Sequence, residues 1–129
     1  MNDVLAAADL LEINDLYARY AHCFDLGEPG AAAELFTADG SFTRADGRVT
    51  RGRDQLRGLG EGTVGVRHLY TNIRIVADGK DRASGSCYNL RLRVDAGTAP
   101  VIHAFGLMTD VFIRTAGGWR FQSRTSSSW

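Results

Sequence analysis

A chain of 129 residues has the length of one domain with room for a sizeable core. Fifteen Lys and Arg residues offset fifteen Asp and Glu, so the formal net charge is zero and no electrostatic footprint for nucleic acid or an anionic membrane is present. The opening MNDVLAAADLLE lacks the basic region of a signal peptide, and no apolar run reaches the ~18 residues of a membrane span; a soluble, cytoplasmic protein is expected.

The first predicted element is a helix over Leu10 to Asp25, LLEINDLYARYAHCFD. Leu10, Ile13, Leu16, Tyr17, Tyr20 and Phe24 follow the i, i+3, i+4, i+7 spacing of a buried stripe. LGEPG, Leu26 to Gly30, breaks the pattern with Gly27, Pro29 and Gly30. A second helix is expected over Ala31 to Phe36, with Leu35 and Phe36 inward. A turn follows over Thr37 to Gly40, where Asp39-Gly40 suits a tight reversal. Ser41 to Arg44 and Arg48 to Arg51 form two short strands joined by Ala45-Asp46-Gly47. Arg44, Arg48, Arg51, Arg53 and Arg57 interleave with Asp46 and Asp54, the pattern of a solvated hairpin and helix face. Gly52 to Leu59 is a short third helix with Leu56 and Leu59 as its only large apolar residues.

Beyond Gly65 the chain turns β-branched and aromatic. Val66 to Ala77, Ala83 to Asp95, Pro100 to Arg114 and Trp119 to Ser127 are separated by turn clusters at 78–81, 95–98 and 116–118. Four long strands with short connections make an antiparallel meander, and helices before a sheet indicate an α+β fold with the helices on one sheet face. Strands of this length curl, and a curled sheet closing over a helix makes a cone with a cavity. Cys23 in the helix and Cys87 in a strand are too few and too isolated for a disulfide framework or a metal site, so buried free thiols are expected.

The order of RYAHCFDLGEPGAAAELFTADGSF, Gly52-x-x-x-Leu56, RHLYTN and DVFIRTAGGWRFQSR resembles the SnoaL-like branch of the nuclear transport factor 2-like superfamily. That branch includes scytalone dehydratase, bile-acid 7α-dehydratase and polyketide cyclases. The resemblance runs from about Leu10 to Arg124 and implies one domain over residues 1–129: a curved antiparallel sheet wrapped around N-terminal helices as a cone, with an apolar pocket at its open end. It also implies dehydratase-type chemistry without metal or organic cofactor, in which a histidine and an aspartate from a helix end work with tyrosines that hold a substrate oxygen. Carried onto this chain, the tyrosine is Tyr20, the aspartate Asp25 and the histidine His68.

The residues themselves bear on these roles. An imidazole exchanges protons near neutral pH, and a carboxylate on its far nitrogen fixes the tautomer. Asp25 can orient His68 in this way, although it falls about 140° around the helix from Tyr20 and turns inward only if the helix ends there. Tyr20 and Tyr17 lie on the buried stripe, where either ring is also ordinary core. Four residues are substrate-binding candidates: Tyr17, Asn72, which simple alternation puts on the strand face of His68 and Tyr70, His103 on the third long strand, and Arg124. Alternation sets Arg124 opposite Trp119 and Phe121, so a solvent-facing arginine is an equal alternative. His22 points away from the stripe and is expected to be exposed. Where bile-acid 7α-dehydratase has an additional acid, this chain offers Asn89, Arg91 or Arg93.

These features point first to a cofactor-independent acid–base lyase or isomerase, of dehydratase or cyclase type. Its substrate would be a hydrophobic oxygenated small molecule such as a polyketide, terpenoid or steroid-like ketone. A non-catalytic ligand carrier or assembly subunit of the same fold is the alternative. Epoxide hydrolysis through Asp110 and Arg124, as in a related family with an Asp–Arg–Asp set, is a third. Apolar residues on both strand faces, with Leu69, Ile73 and Ile75 opposite His68, call for a homodimer or homotrimer.

Overall fold

A computed structural model describes residues 4–60 and 63–129. The first helix, α1, spans Ala7–Asp25 and buries Ile13, Leu16, Tyr17, Tyr20, Ala21 and Phe24. It begins three residues before the apolar stripe because Ala7-Ala8-Asp9 are compatible with a first helical turn, and it ends before Gly27, whose φ is 88°. The expected second helix is a 3₁₀ segment, Pro29–Leu35, opened by its proline. Leu35 is buried within it, and the equally buried Phe36 already belongs to the next strand.

Six strands follow: β1 (Phe36–Thr43), β2 (Val49–Arg51), β3 (Val66–Ala77), β4 (Arg82–Arg93), β5 (Val101–Thr115) and β6 (Gly118–Ser128). A short helix α2, Arg53–Leu56, lies between β2 and β3, shorter than the expected Gly52 to Leu59, and Leu56 and Leu59 are buried. The β1–β2 hairpin turns at 44–48, with Gly47 at φ 88°. The long strands form the expected meander, and the whole sheet runs β2-β1-β6-β5-β4-β3 without closing. It is not antiparallel throughout: β1 leaves the helical layer running parallel to β6.

The reversal expected at Thr37 to Gly40 is instead a wide irregularity inside β1. The strand passes from Phe36 to Ser41 while β6 advances only from Phe121 to Ser123. Gly40 serves close packing there, since a Cβ would come within 2.8 Å of Phe36 Cβ. Smaller bulges have larger consequences. At Asn72, whose φ is 54°, the register of β3 shifts; asparagine tolerates this left-handed conformation. Ile73 and Ile75 therefore join the core on the same side as His68 and Tyr70, and Asn72 is exposed. At Gln122 a bulge between β5 and β6 turns Arg124 inward on the face of Phe121.

The core lies between α1 and the inner face of the sheet, around Phe36, Met108, Phe112, Trp119 and Phe121. Cys87 is buried in it and Cys23 half-buried, both free. Arg124 sits at its centre with no exposed side-chain surface. Its Nε donates to Asp110 Oδ1 at 2.7 Å, and the Tyr17 hydroxyl donates to Asp110 Oδ2 at 2.7 Å. The guanidinium carbon is 4.3 Å from the ring centre of Tyr20, 4.5 Å from Phe121 and 4.8 Å from Tyr70. At the other end of α1, Asp9 accepts bonds from Arg114 and from the Trp119 indole, and Glu12 accepts from the Trp119 amide. The Arg114 bonds lead in drawing the Asp9 carboxyl down to about 2.

Removing one partner of a buried ion pair leaves the other uncompensated. Asp110→Ala is expected to lower stability by about 3–5 kcal/mol in urea unfolding, and joint replacement by Asp110→Leu and Arg124→Met to recover most of it.

Candidate active site

Asp25 is the last residue of α1, and β3 passes beside it as an edge strand of the sheet. The His68 amide donates to both carboxylate oxygens of Asp25, at 3.2 and 3.1 Å. His68 Nδ1 lies 2.8 Å from Asp25 Oδ1. A carboxylate can only accept, so Nδ1 carries the proton in the neutral ring and Nε2 keeps a free lone pair. Only 8% of the His68 side-chain surface and 12% of that of Asp25 are exposed. Burial pushes the imidazole below the usual histidine value of 6.5, against the opposing hydrogen bond and charge of Asp25.

The ring of His68 lines a cavity of about 160 Å³, close to the size that holds a single aromatic ring. Phe24, Phe42, Leu59 and Met108 form its apolar wall. Gly60 adjoins Phe24 so closely, at φ 86°, that a Cβ there would collide with the phenyl ring. The polar groups come largely from facing pairs in the β3–β4 register, His68 opposite Arg91 and Tyr70 opposite Asn89, with Tyr20 added from α1. Burial holds the phenols of Tyr20 and Tyr70 protonated, that of Tyr70 at about 12, so both are hydrogen-bond donors at neutral pH.

Asp25, His68 and Tyr20 are thus brought together at one end of α1. Tyr17 is not on this cavity: its hydroxyl is committed to Asp110. Arg124 is neither solvent-facing nor in the cavity; it backs the rings of Tyr20 and Tyr70 from the core. Burial works against its charge, yet Asp110 leads the groups that raise its pKa well above the ordinary arginine value. Asp110 and Arg124 do meet, but both are enclosed in the core away from the cavity, which removes the basis for epoxide hydrolysis through them. His103 falls at the bulge where Arg91 pairs with Ala104 and Leu92 with Ile102; it is exposed and outside the cavity. Asn72 is likewise outside it. His22 is exposed as expected.

Sequence reasoning gave Tyr70 no role in the site and named Asn89 and Arg91 only as residues standing where a related dehydratase has an additional acid. Tyr70 was legible as the i+2 neighbour of His68, whereas the other two follow only from the β3–β4 register. Arg44 is exposed, as expected of its arginine group, and also lines the cavity.

Comparison with known proteins fits this architecture. Residues 6–125 match the SnoaL-like domain, and the chain belongs to that family, with the nuclear transport factor 2-like, cystatin-like fold. A protein of unknown function from Mycobacterium tuberculosis is 30% identical, with 96% of this chain and 78% of that one covered and a TM-score of 0.86. A Catenulispora acidiphila protein in complex with S-DNPA is 28% identical over 95% of each chain, with a TM-score of 0.79. An NTF2-like protein with a cystatin-like fold from Novosphingobium aromaticivorans is 27% identical, covering 94% of this chain and 82% of that one, with a TM-score of 0.84. No curated protein matches the sequence. No helix among the described residues is long and apolar enough to cross a membrane.

The competing influences on His68 are separable. Its imidazole is expected to titrate below 6.5 by NMR, and Asp25→Asn, which removes the charge that favours the imidazolium, to move that midpoint lower still.

Proposed function

We propose that this protein is an acid–base lyase or isomerase, of dehydratase or cyclase type, that acts on a hydrophobic oxygenated small molecule such as a polyketide, terpenoid or steroid-like ketone. The observation that carries this reading is the Asp25–His68 bond at 2.8 Å beside an aromatic-walled cavity. With Nδ1 held by Asp25, the free Nε2 removes a proton from the carbon α to a carbonyl. The electron pair moves onto the carbonyl oxygen, and the hydroxyls of Tyr20 and Tyr70 donate to the enolate that forms. Asp25 stabilises the imidazolium. When the enolate collapses and expels a β-hydroxyl, the imidazolium returns its proton to that oxygen and water departs. Return of the proton to a different carbon gives a double-bond shift, and attack of the enolate carbon on a second carbonyl gives ring closure. Each step uses protein groups alone. The capture of S-DNPA by the Catenulispora relative supports a small organic ligand.

The alternative of a non-catalytic subunit predicts no proton exchange. Deuterium uptake from D₂O at the α carbon of one- and two-ring ketones, followed by NMR, tests this directly. His68→Ala is expected to lower the exchange rate by about 10²–10⁴-fold with the fold intact. Full activity in that variant, or none in the wild type, rejects the proposal. Because the neutral imidazole is the base, kcat/KM should rise with pH through a midpoint below 6.5 and then level off.

We also propose a homodimer or homotrimer. With Ile73 and Ile75 turned inward, the support comes from Tyr88, Phe105 and Trp129, whose rings meet edge to face at 4.9–6.1 Å although 37%, 43% and 64% of their surfaces are exposed. Phe105→Lys is expected to dissociate the assembly in sedimentation; a stable wild-type monomer at micromolar concentration refutes it.

A further inference from the structure

Proton transfer between His68 and a ketone leaves two arginines of the cavity, Arg91 and Arg44, without a task. Arg91 stands directly opposite His68 across β3–β4 and lines the same cavity. Its Nε is buried and has no hydrogen-bond partner among the described residues. Two residues along the same strand, Asn89 presents a buried Oδ1 that is also without a partner, while its amide nitrogen finds only the Met108 sulfur, at 3.7 Å. Arg44, just beyond β1, lines the cavity as a second guanidinium. Among the described residues, neither arginine lies within ion-pair distance of a carboxylate, although five other arginines on the protein surface do, those at 48, 53, 57, 82 and 114.

Among the described residues, no carboxylate lines the cavity to offset these two charges. Asp25 lies behind the imidazole and is occupied by its ring and amide. Arg124, the third cation nearby, is already neutralised by Asp110. Arg91 is half-buried, but its Nε is enclosed and idle, a cost unless something pairs with it, and a planar carboxylate matches the donor fork of a guanidinium.

We propose that the substrate carries a carboxylate on its ring system, bound by Arg91 inside the cavity with Arg44 as the second cation. The aromatic wall takes the ring and the guanidinium takes the acid. The acid group would then sit next to the histidine that removes the proton. This rests on the cavity being the substrate site. It does not require that turnover be observed.

Benzoate and benzamide share a ring and a shape and differ by one charge, so their binding can be compared by calorimetry. Benzoate is expected to bind wild type at least about tenfold more tightly than benzamide. Arg91→Gln should remove that preference while leaving benzamide affinity unchanged, and Arg91→Lys, which keeps the charge and loses the fork, should retain part of it. Three results would overturn the proposal: equal affinity for the two ligands, no benzoate binding at millimolar concentration, or an equal loss for both in Arg91→Gln. Deuterium exchange in the same preparations separates the two readings. In the wild type, no preference for benzoate with exchange present rejects the carboxylate alone, and a preference for benzoate with no exchange rejects the proton transfer alone.

Discussion

A single guanidinium, that of Arg124, is enclosed in the middle of this small protein, and most of the architecture converges on it. Asp110 neutralises it from the facing position on β5, and Tyr17 reaches from α1 to the same carboxylate. Tyr20 of α1 and Tyr70 of β3 lay their rings against it. One ion pair therefore fixes how the helix sits on both the centre and the edge of the sheet. Such a charge is expensive to bury, and four aromatic rings, those of Tyr17, Tyr20, Tyr70 and Phe121, together with a carboxylate offset the cost. Arg124 does not line the cavity, yet its charge adds to burial in holding the His68 imidazole down.

The order of elements was legible because it follows from simple periodicities. The apolar stripe of α1, the turn clusters after Ala77 and Asp95, and the alternation of the long strands all describe local geometry, and the structure has them. The misplacements of Asn72 and Arg124 have one physical source. A strand alternates its faces every residue only while it stays in register, and a bulge adds a residue and inverts everything beyond it. The bulge at Asn72 turned Ile73 and Ile75 from the outside to the core and took Asn72 out of the site. The irregularity at Gln122 brought Arg124 inside, whereas His103 is at the surface by plain alternation, on the outer face with the exposed Phe105. Nothing in the local residue pattern marks these positions strongly, apart from an asparagine that suits a positive φ.

The cavity illustrates a division of labour between helix and sheet. Helix α1 supplies the acid at its last residue and one phenol a turn and a half before it, while the facing pairs of β3 and β4 supply the imidazole, a second phenol, an amide and a guanidinium. The helical contribution could be read from spacing and family resemblance. The sheet's could be read only in part, because a residue on β4 gains meaning through what it faces on β3.

The double attachment of Asp25 bears on how such a site can decay. β3 is the outermost strand, and at His68 its amide finds a carboxylate where an interior strand would find a backbone carbonyl. Asp25 thus closes an exposed sheet edge, a place where unpaired backbone invites pairing with other chains, as well as orienting an imidazole. In a lineage relieved of catalysis, the ring of His68 could be exchanged with little disturbance to this edge, since the amide belongs to whatever residue stands there. The acid would stay under selection for solubility after its chemical purpose had gone. An aspartate kept in a relative that has lost the histidine would therefore be a remnant of edge protection, not of activity.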